Sequence, residues 1–329
     1  MFKVLAILIV SSFSFGFSRG DIDKISPNLP EIILDERVTP HEHETYESNF
    51  GETQVRIVIT EDDFSKTITH DEININCKKG EGSLSLENEY FRIRSQSVFY
   101  IRGPVICQKL NVWKFEKESS EAQVLEIYHQ AITARDKFIE KGLVNFWKRR
   151  INIKWPSNGD YYSWGTVNIT RGDHWDVVAH EIGHAIYDQA NIGVSPGGRH
   201  RIDECYSTGL ALSEGWATFF AGWINLSLDD KDARFEFLVP RRAPIRLENI
   251  PADVCPGQRN EWRVAGFFWD LIDRSNDNEN VSISFNKIWA LKLNQNHSSA
   301  KSFASDLLKE MDPILLRALW KNNFLTNLD

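Results

Sequence analysis

The chain has 329 residues, of which 42% are hydrophobic, so it is long and apolar enough for one large globular domain or two ordinary ones, and disorder is excluded as its default state. Its formal net charge of -8 argues against nucleic acid as a main partner, because phosphate binding requires a concentrated basic surface. The basic runs Lys148–Arg150 and Arg241–Arg242 are short and are better explained as solvated faces or carboxylate partners.

The first residues have the pattern of a secretory signal peptide. Met1–Lys3 is followed by an apolar run from Val4 to Val10, and small residues stand at Gly16 and Ser18. This pattern predicts that residues 1–18 are cleaved and that the protein is secreted or periplasmic. The apolar run is too short to span a bilayer and no later segment is longer, so the sequence predicts no membrane span.

Two further segments precede the main domain. Residues 19–50 are polar and aperiodic, which predicts an extended arm, and their cluster His41–Glu44 is better explained as a solvated loop than as a metal site. Residues 51–118 contain β-branched and aromatic runs separated by polar turns, which predicts a small antiparallel β-rich domain. The runs are Val55–Ile59, Leu84–Ile93, Val98–Ile101 and Leu110–Phe115. A removable propeptide, a binding module and a structural appendage all fit this pattern.

Residues 119–329 are predicted to form the main domain. Ser119–Leu143 has the 3.6-residue period of an amphipathic helix, and Ile151–Trp155 and Gly165–Thr170 have the composition of strands. The apolar face of the helix is predicted to contain Val124, Leu125, Tyr128, Ile132, Phe138 and Ile139. Asp173 is the candidate N-cap of the next helix, which contains the chemically most informative residues.

That next helix contains two histidines four residues apart. His180 and His184 are separated by about 400° of helical rotation, so both project from one face and could bind one zinc ion. Glu181 lies about 100° around the helix from His180, close enough to hold a zinc-bound water without being a ligand. Because this motif also arises by chance, a helix with two hydrogen-bonded histidines is the alternative interpretation.

A catalytic zinc site requires a third protein ligand. One common arrangement would need glycine at position 187 and histidine at position 190, and it is excluded because the chain has Tyr187 and Ala190. The other arrangement takes a glutamate from a later helix, and Glu214 lies in the apolar segment Thr208–Trp223. A carboxylate buried there is costly unless a positive charge meets it, so we expect Glu214 to bind the metal; a buried ion pair with Arg or Lys is the alternative.

The motif His180-Glu181-x-x-His184, followed by Ser213-Glu214-Gly215, resembles the gluzincin, or thermolysin-like, superfamily of zinc metallopeptidases over residues 119–273. The resemblance implies an α+β core with a small mixed sheet, the HExxH helix, the glutamate helix and a helical C-terminal part, here preceded by the β unit. It also implies a sheet-edge strand, within Gly165–Thr170, that binds the substrate backbone. The chain departs from the family at Thr218, where many such enzymes have an aspartate that orients a zinc histidine.

The resemblance also suggests residues that could contact substrate. Asn260–Asp273 is similar to a helix that follows the glutamate helix in secreted relatives of the superfamily. On it, Glu261 and Arg263 could bind a substrate terminus or the developing oxyanion, or could form an ordinary surface ion pair. The family places a Tyr or His near the oxyanion, and the candidates in this chain are Tyr187, Tyr206, His200 and His297.

Four cysteines in an exported chain most simply form two disulfides. Three pairings are possible from the sequence. We favour Cys77–Cys107 and Cys205–Cys255 because each pair then lies within one predicted domain. The chain has no CxxC element, so a structural zinc-cysteine site is not expected.

These patterns predict a secreted zinc peptidase that acts on a peptide or protein substrate, using a zinc-activated water with Glu181 as general base and then general acid. One alternative is a non-catalytic binding or adhesion protein with a structural or vestigial metal site, against which the intact Glu181 argues. Another is a carboxylate-bridged di-iron bundle, since Glu126-x-x-His129 repeats the Glu-x-x-His spacing of Glu181 and His184. Helical phasing argues against the bundle, because it places Glu126 and His129 opposite the apolar face.

Overall fold

The computed structural model describes residues 54–61, 64–69, 73–238, 244–275, 280–292 and 295–328. The predicted signal peptide, the extended arm with its cluster His41–Glu44, and the basic pair Arg241–Arg242 lie outside these ranges. Those predictions therefore stay predictions.

The described part of the chain is a mixed α+β structure with ten strands and seven helices. The strands are β1 (Gln54–Glu61), β2 (Phe64–Thr69), β3 (Ile73–Asn76), β4 (Glu81–Ser85), β5 (Phe91–Arg94), β6 (Tyr100–Pro104), β7 (Leu110–Glu116), β8 (Ile151–Lys154), β9 (Tyr161–Ser163) and β10 (Thr166–Asn168). The helices are α1 (Ser120–Glu140), α2 (Trp175–Gln189), α3 (Thr208–Asn225), α4 (Glu261–Asp270), α5 (Phe285–Lys292), α6 (Ala300–Leu307) and α7 (Pro313–Phe324). None of these helices combines the length and apolar character needed to cross a membrane.

The N-terminal strands form two three-stranded sheets, in the orders β2-β1-β7 and β3-β4-β6. The second sheet is antiparallel throughout, whereas in the first β1 is antiparallel to β2 but parallel to β7. The expectation of a purely antiparallel unit was therefore wrong. Only strands joined by a tight turn must run antiparallel, and β7 returns to β1 after five intervening strands.

The sheet nearest the two histidines has the order β5-β8-β10-β9. Strands β5, β8 and β10 are parallel, and β9 is antiparallel to β10. Because β5 comes from the predicted N-terminal domain, strand pairing crosses the proposed boundary after residue 118. That boundary stays a prediction.

The outermost strand of this sheet on the β10 side is β9. The expectation that Gly165–Thr170 contains the edge strand was wrong, because the strand in that segment is β10, which lies between β8 and β9. A two-residue turn at Trp164 and Gly165 folds β9 back against β10 and covers it.

Helix α1 begins where the sequence predicts it. The Ser119 side chain accepts a hydrogen bond from the backbone N–H of Ala122, which is a standard N-terminal cap. Five of the six predicted apolar positions pack in or against the core, but Ile139 is 50% exposed. The helix ends at Glu140, so Ile139 lies in a last turn that extends beyond the packed face.

Helix α2 begins one residue later than the sequence predicts. Its N-cap residue is His174, which makes no side-chain capping bond, and the Asp173 carboxylate instead accepts two hydrogen bonds from Arg171. Asp176 in the first turn is fully buried and accepts the backbone N–H groups of residues 236–238 at 2.7, 2.7 and 3.2 Å. A buried carboxylate therefore fastens a distant loop to the start of the helix.

Helix α3 is the central helix of the main domain and packs on both α2 and α4. All its residues from Leu210 to Ile224 are buried, which explains why its sequence is apolar on every face. The helices approach closely at Gly215, where a Cβ atom would lie 2.5 Å from Cβ of Val264 and 2.7 Å from the carbonyl oxygen of Glu261.

We predict that Gly215→Ala destabilises the protein by about 1–3 kcal/mol, because the added methyl group would force α4 away from α3. The measurement is thermal or urea-induced unfolding. Gly209→Ala is the matched control on the same helix, since its Cβ would meet nothing closer than 3.6 Å. The control should be neutral or slightly stabilising, and equal losses in both variants would contradict the close approach at Gly215.

Candidate metal centre

Three ligand atoms from α2 and α3 converge on one point. The Nε2 atoms of His180 and His184 lie 3.1 Å apart, and Oε2 of Glu214 lies 3.2 Å from the first and 3.1 Å from the second. The side chains are 6–9% exposed. In a tetrahedral zinc site with ligands at about 2.0–2.1 Å, ligand atoms are about 3.3 Å apart, so this nearly equilateral triangle matches a zinc ion in size.

The outer ring nitrogens explain how the histidines are oriented. Nδ1 of His180 lies 3.2 Å from the hydroxyl of Thr218, and Nδ1 of His184 lies 3.3 Å from the hydroxyl of Ser213. When each Nδ1–H donates to its hydroxyl, both Nε2 atoms present lone pairs to the Glu214 carboxylate. In that tautomer the two Nε2 atoms and the carboxylate oxygen are all acceptors, which is the arrangement that a bound cation requires.

Burial and the neighbouring groups together set the pKa values of His180 and Glu214. Burial lowers the pKa of His180 to about 4, against the opposing effect of Glu214. For Glu214, burial favours the neutral acid, but His184 and His180 outweigh it and hold the pKa of the carboxyl well below its usual range. The carboxylate is therefore charged and relies on its two histidines and on any bound cation.

Glu181 lies next to His180 on α2 and is also buried. Its Oε2 atom has no hydrogen-bond partner among the described residues. Burial raises the pKa of Glu181 to about 8, with smaller contributions from His184, which lowers it, and from Glu214 and Asp160, which raise it. A carboxyl group of this kind can gain and lose a proton near neutral pH.

His200 completes the charged cluster from the loop 190–207 between α2 and α3. Its Nε2 atom lies 3.6 Å from Oε2 of Glu214, and its Nδ1 atom lies 2.7 Å from Oε2 of Glu261 at the start of α4. Burial alone would lower the pKa of His200, but Glu261, Glu214 and Glu181 outweigh it and raise that pKa to about 9. A protonated imidazole therefore faces the triangle of ligand atoms.

The contact between His200 and Glu261 depends on how the loop is attached to α4. The disulfide Cys205–Cys255 joins the loop to the segment before α4. The side chain of Asn260, which also caps α4, donates to the carbonyl of Ile202 at 2.8 Å.

Both disulfides pair as the sequence favours. The second disulfide is Cys77–Cys107, which lies among the N-terminal strands.

The other three oxyanion candidates are used differently. Tyr187 is 1% exposed and its hydroxyl donates to the carbonyl of Val194 at 3.4 Å, so its side chain is part of the packed interior. His297 is buried and its Nε2 atom contacts the carbonyl of Leu291. The ring of Tyr206 lies beside His200 at a centroid distance of 6.3 Å, and its hydroxyl donates to Glu204 at 3.2 Å. His200 is the candidate that reaches the ligand atoms.

Arg263 has neither of the roles suggested by the sequence. It is 2% exposed and donates to the carbonyl oxygens of Cys255, Asn323 and Val254 at 2.9, 2.8 and 2.7 Å. Glu261 pairs with His200 instead, so the expected surface ion pair is absent between these two residues. The guanidinium is occupied by backbone acceptors and braces the segment that precedes α4.

The described residues give the di-iron alternative no support. Two groups of His and carboxylate side chains are close enough to share a metal ion, namely His180 with His184 and Glu214, and His200 with Glu214 and Glu261. Glu126 and His129 on α1 belong to neither group. In the second group, His200 and Glu261 are 2.7 Å apart, which is the distance of an ion pair between the two side chains.

The described architecture and this centre define an α+β protein with a buried two-histidine, one-glutamate cluster. A family model described as the mycolysin C-terminal domain matches residues 143–311, which is just over half of the chain. The chain belongs to this family, whose domains occur in thermolysin-like peptidases that are typically secreted. The search among curated proteins found no match. The family match spans the whole centre, although by itself it assigns no catalytic role to any residue.

We predict that Arg263→Lys lowers the free energy of unfolding by about 3 kcal/mol, because an ammonium group cannot serve three separated carbonyl acceptors. Urea-induced unfolding measures this loss. Arg274→Lys is the control: Arg274 pairs with Asp229 at the surface, and its replacement should leave the unfolding midpoint unchanged. A stable Arg263→Lys protein would contradict the bracing role.

Proposed function

We propose that the chain is a secreted zinc-dependent peptidase in which His180, His184 and Glu214 hold zinc and Glu181 is the general base and acid. The main support is the triangle of buried atoms 3.1–3.2 Å apart, together with Oε2 of Glu181, one residue from His180, which has no hydrogen-bond partner among the described residues. Membership in a family found in peptidases supports the same class of reaction. The predicted signal peptide at residues 1–18 supports export.

Zinc, when bound, would supply a Lewis acid that polarises a peptide carbonyl and makes a water molecule more acidic. Glu181 then accepts the proton of the attacking water and returns it to the leaving amine. Its Oε2 atom suits this task because no donor among the described residues competes for it.

His200 is the candidate donor to the carbonyl oxygen that becomes negatively charged during the reaction. Its imidazole lies beside Glu214, and Glu261 holds it in one orientation through the 2.7 Å contact at Nδ1. A positive group that is already oriented stabilises developing charge at little reorganisation cost. Glu261 is accordingly a positioning residue.

The substrate backbone is expected to lie along β9. This strand is outermost in its sheet, so one edge has free backbone donors and acceptors that an extended peptide could pair with. Asp160, immediately before β9, is close enough to Glu181 to raise its pKa. β9 packs on α2, where the hydroxyl of Tyr162 donates to Asp188, so a peptide paired with β9 would run alongside the helix that contains Glu181.

We predict that Glu181→Gln keeps zinc but loses at least about 100-fold of its peptide-cleaving activity, since the amide cannot accept the proton. Elemental analysis measures the metal, and mass spectrometry of a mixed peptide library measures cleavage. Glu140→Gln, an exposed glutamate on α1, is the control and should behave as wild type. If the wild-type protein binds no zinc or cleaves nothing with zinc bound, the proposed function is wrong.

We predict that Thr218→Val weakens zinc binding about 10- to 100-fold, because the hydroxyl that orients His180 is replaced by a methyl group of similar size. Competition with a chromophoric chelator measures the affinity. Thr208→Val, at the start of the same helix, removes a hydroxyl that contacts the carbonyl of Ser298 instead. Equal zinc affinity in both variants would rule out a role for Thr218 in orienting His180.

A further inference from the structure

The turn between β9 and β10 contains an unusual residue. Trp164 has a φ of +49° and is followed by Gly165 with a φ of +79°. Two-residue hairpin turns with two positive φ angles favour Asn-Gly, and a bulky side chain at the first position is an outlier. The fold therefore places a tryptophan where asparagine or glycine would be less strained.

The side chain of Trp164 does not contribute to the core. It is 100% exposed, whereas five other tryptophans are among the largest fully buried side chains of the protein. Tyr161, at the other end of β9, is 49% exposed. A fully exposed indole buries no apolar area that would offset the strain of its positive φ angle. Strained and exposed residues of this kind are typical of binding sites.

The position of Trp164 relative to Glu181 follows from the strand. The hydroxyl of Tyr162 in β9 donates to Asp188 of α2, and Arg149, which pairs with Asp188, lies beside Gly165. Asp188 lies about 10 Å along α2 from Glu181, so the Trp164 end of β9 lies beside the part of the helix that follows the metal centre. At about 3.3 Å per residue, Trp164 lies about 10 Å along the edge from Tyr161. An extended peptide on this edge would reach the indole about three residues from the bond that is cleaved.

The surroundings indicate which side chain the indole would accept. The Arg149 guanidinium lies beside Gly165, where its Nη2 atom would be 3.3 Å from an added Cβ, and Arg149 also pairs with Asp188. Because Arg149 and Asp188 already pair with each other, this ion pair leaves no unpaired counter-ion for a charged residue of the peptide. An apolar or aromatic residue would instead stack on the indole without an electrostatic penalty.

We infer that Trp164 is a substrate-binding residue that selects an apolar or aromatic side chain two to four residues from the scissile bond of an extended peptide. This inference rests on the proposed peptidase function. It assigns the exposed indole a role that neither the fold nor the metal centre requires.

The first test compares cleavage of a mixed dodecapeptide library by wild type and Trp164→Asn. Asparagine suits the turn, so the variant should fold normally. Wild type should prefer apolar or aromatic residues at one position within the stated range, and the variant should lose about three- to tenfold of that preference. Leu325→Asn is the matched control, because Leu325 is also exposed and has a φ of +56°. An unchanged profile in Trp164→Asn would overturn the inference.

The second test separates this inference from the proposed function. Zinc-loaded Glu181→Gln and the double variant Glu181→Gln, Trp164→Asn are immobilised and exposed to the same library, and retained peptides are identified by mass spectrometry. The single variant should retain peptides rich in apolar and aromatic residues, and the double variant should not. Absence of cleavage by wild type would refute the peptidase proposal, whereas equal retention by both variants would refute the role of Trp164.

A lipid surface is the competing partner for an exposed indole. Sedimentation with phosphatidylcholine and phosphatidylglycerol vesicles should be the same for wild type and Trp164→Asn. If the substitution abolishes vesicle binding while peptide selection stays unchanged, Trp164 contacts lipid and the assignment to substrate is wrong.

Discussion

The structure depends most on the burial of the Glu214 carboxylate in an otherwise apolar helix. An isolated charge in that position would be very costly, and the chain compensates by placing His180 and His184 on the facing helix at 3.1–3.2 Å. The close packing of α2, α3 and α4 is what brings these groups together, and Gly215 allows part of that approach. The same packing places Glu261 of α4 near the cluster and so fixes His200.

The histidines are oriented by hydroxyl groups rather than by carboxylates. Thr218 and Ser213, both on α3, contact the Nδ1 atoms of His180 and His184. Helix α3 therefore supplies one of the three candidate ligand atoms and the side chains that contact the other two residues. Neutral hydroxyls add no negative charge to a cluster that already contains Glu214, Glu181 and Glu261, which lowers the electrostatic cost of burying all three.

Short-range features of the centre could be predicted from the sequence. Helical spacing aligns His180 with His184, and the desolvation cost of Glu214 in an apolar helix makes it the natural third member. The pairing of His200 with Glu261 could not be predicted, because it depends on the path of the loop 190–207 and on its attachment through Cys205–Cys255 and Asn260. The edge strand was misplaced because the two-residue turn that joins β9 to β10 has Trp164 before Gly165, where the typical turn sequence is Asn-Gly.

X-ray absorption spectroscopy of the purified protein at the zinc edge is the most direct test of the central claim. We predict one zinc per chain with two imidazole ligands, oxygen ligands at about 2.0–2.2 Å and no sulfur ligand. The Glu214→Gln variant should lose this spectrum. A protein without zinc, a spectrum with sulfur ligands, or an unchanged spectrum in Glu214→Gln would contradict it.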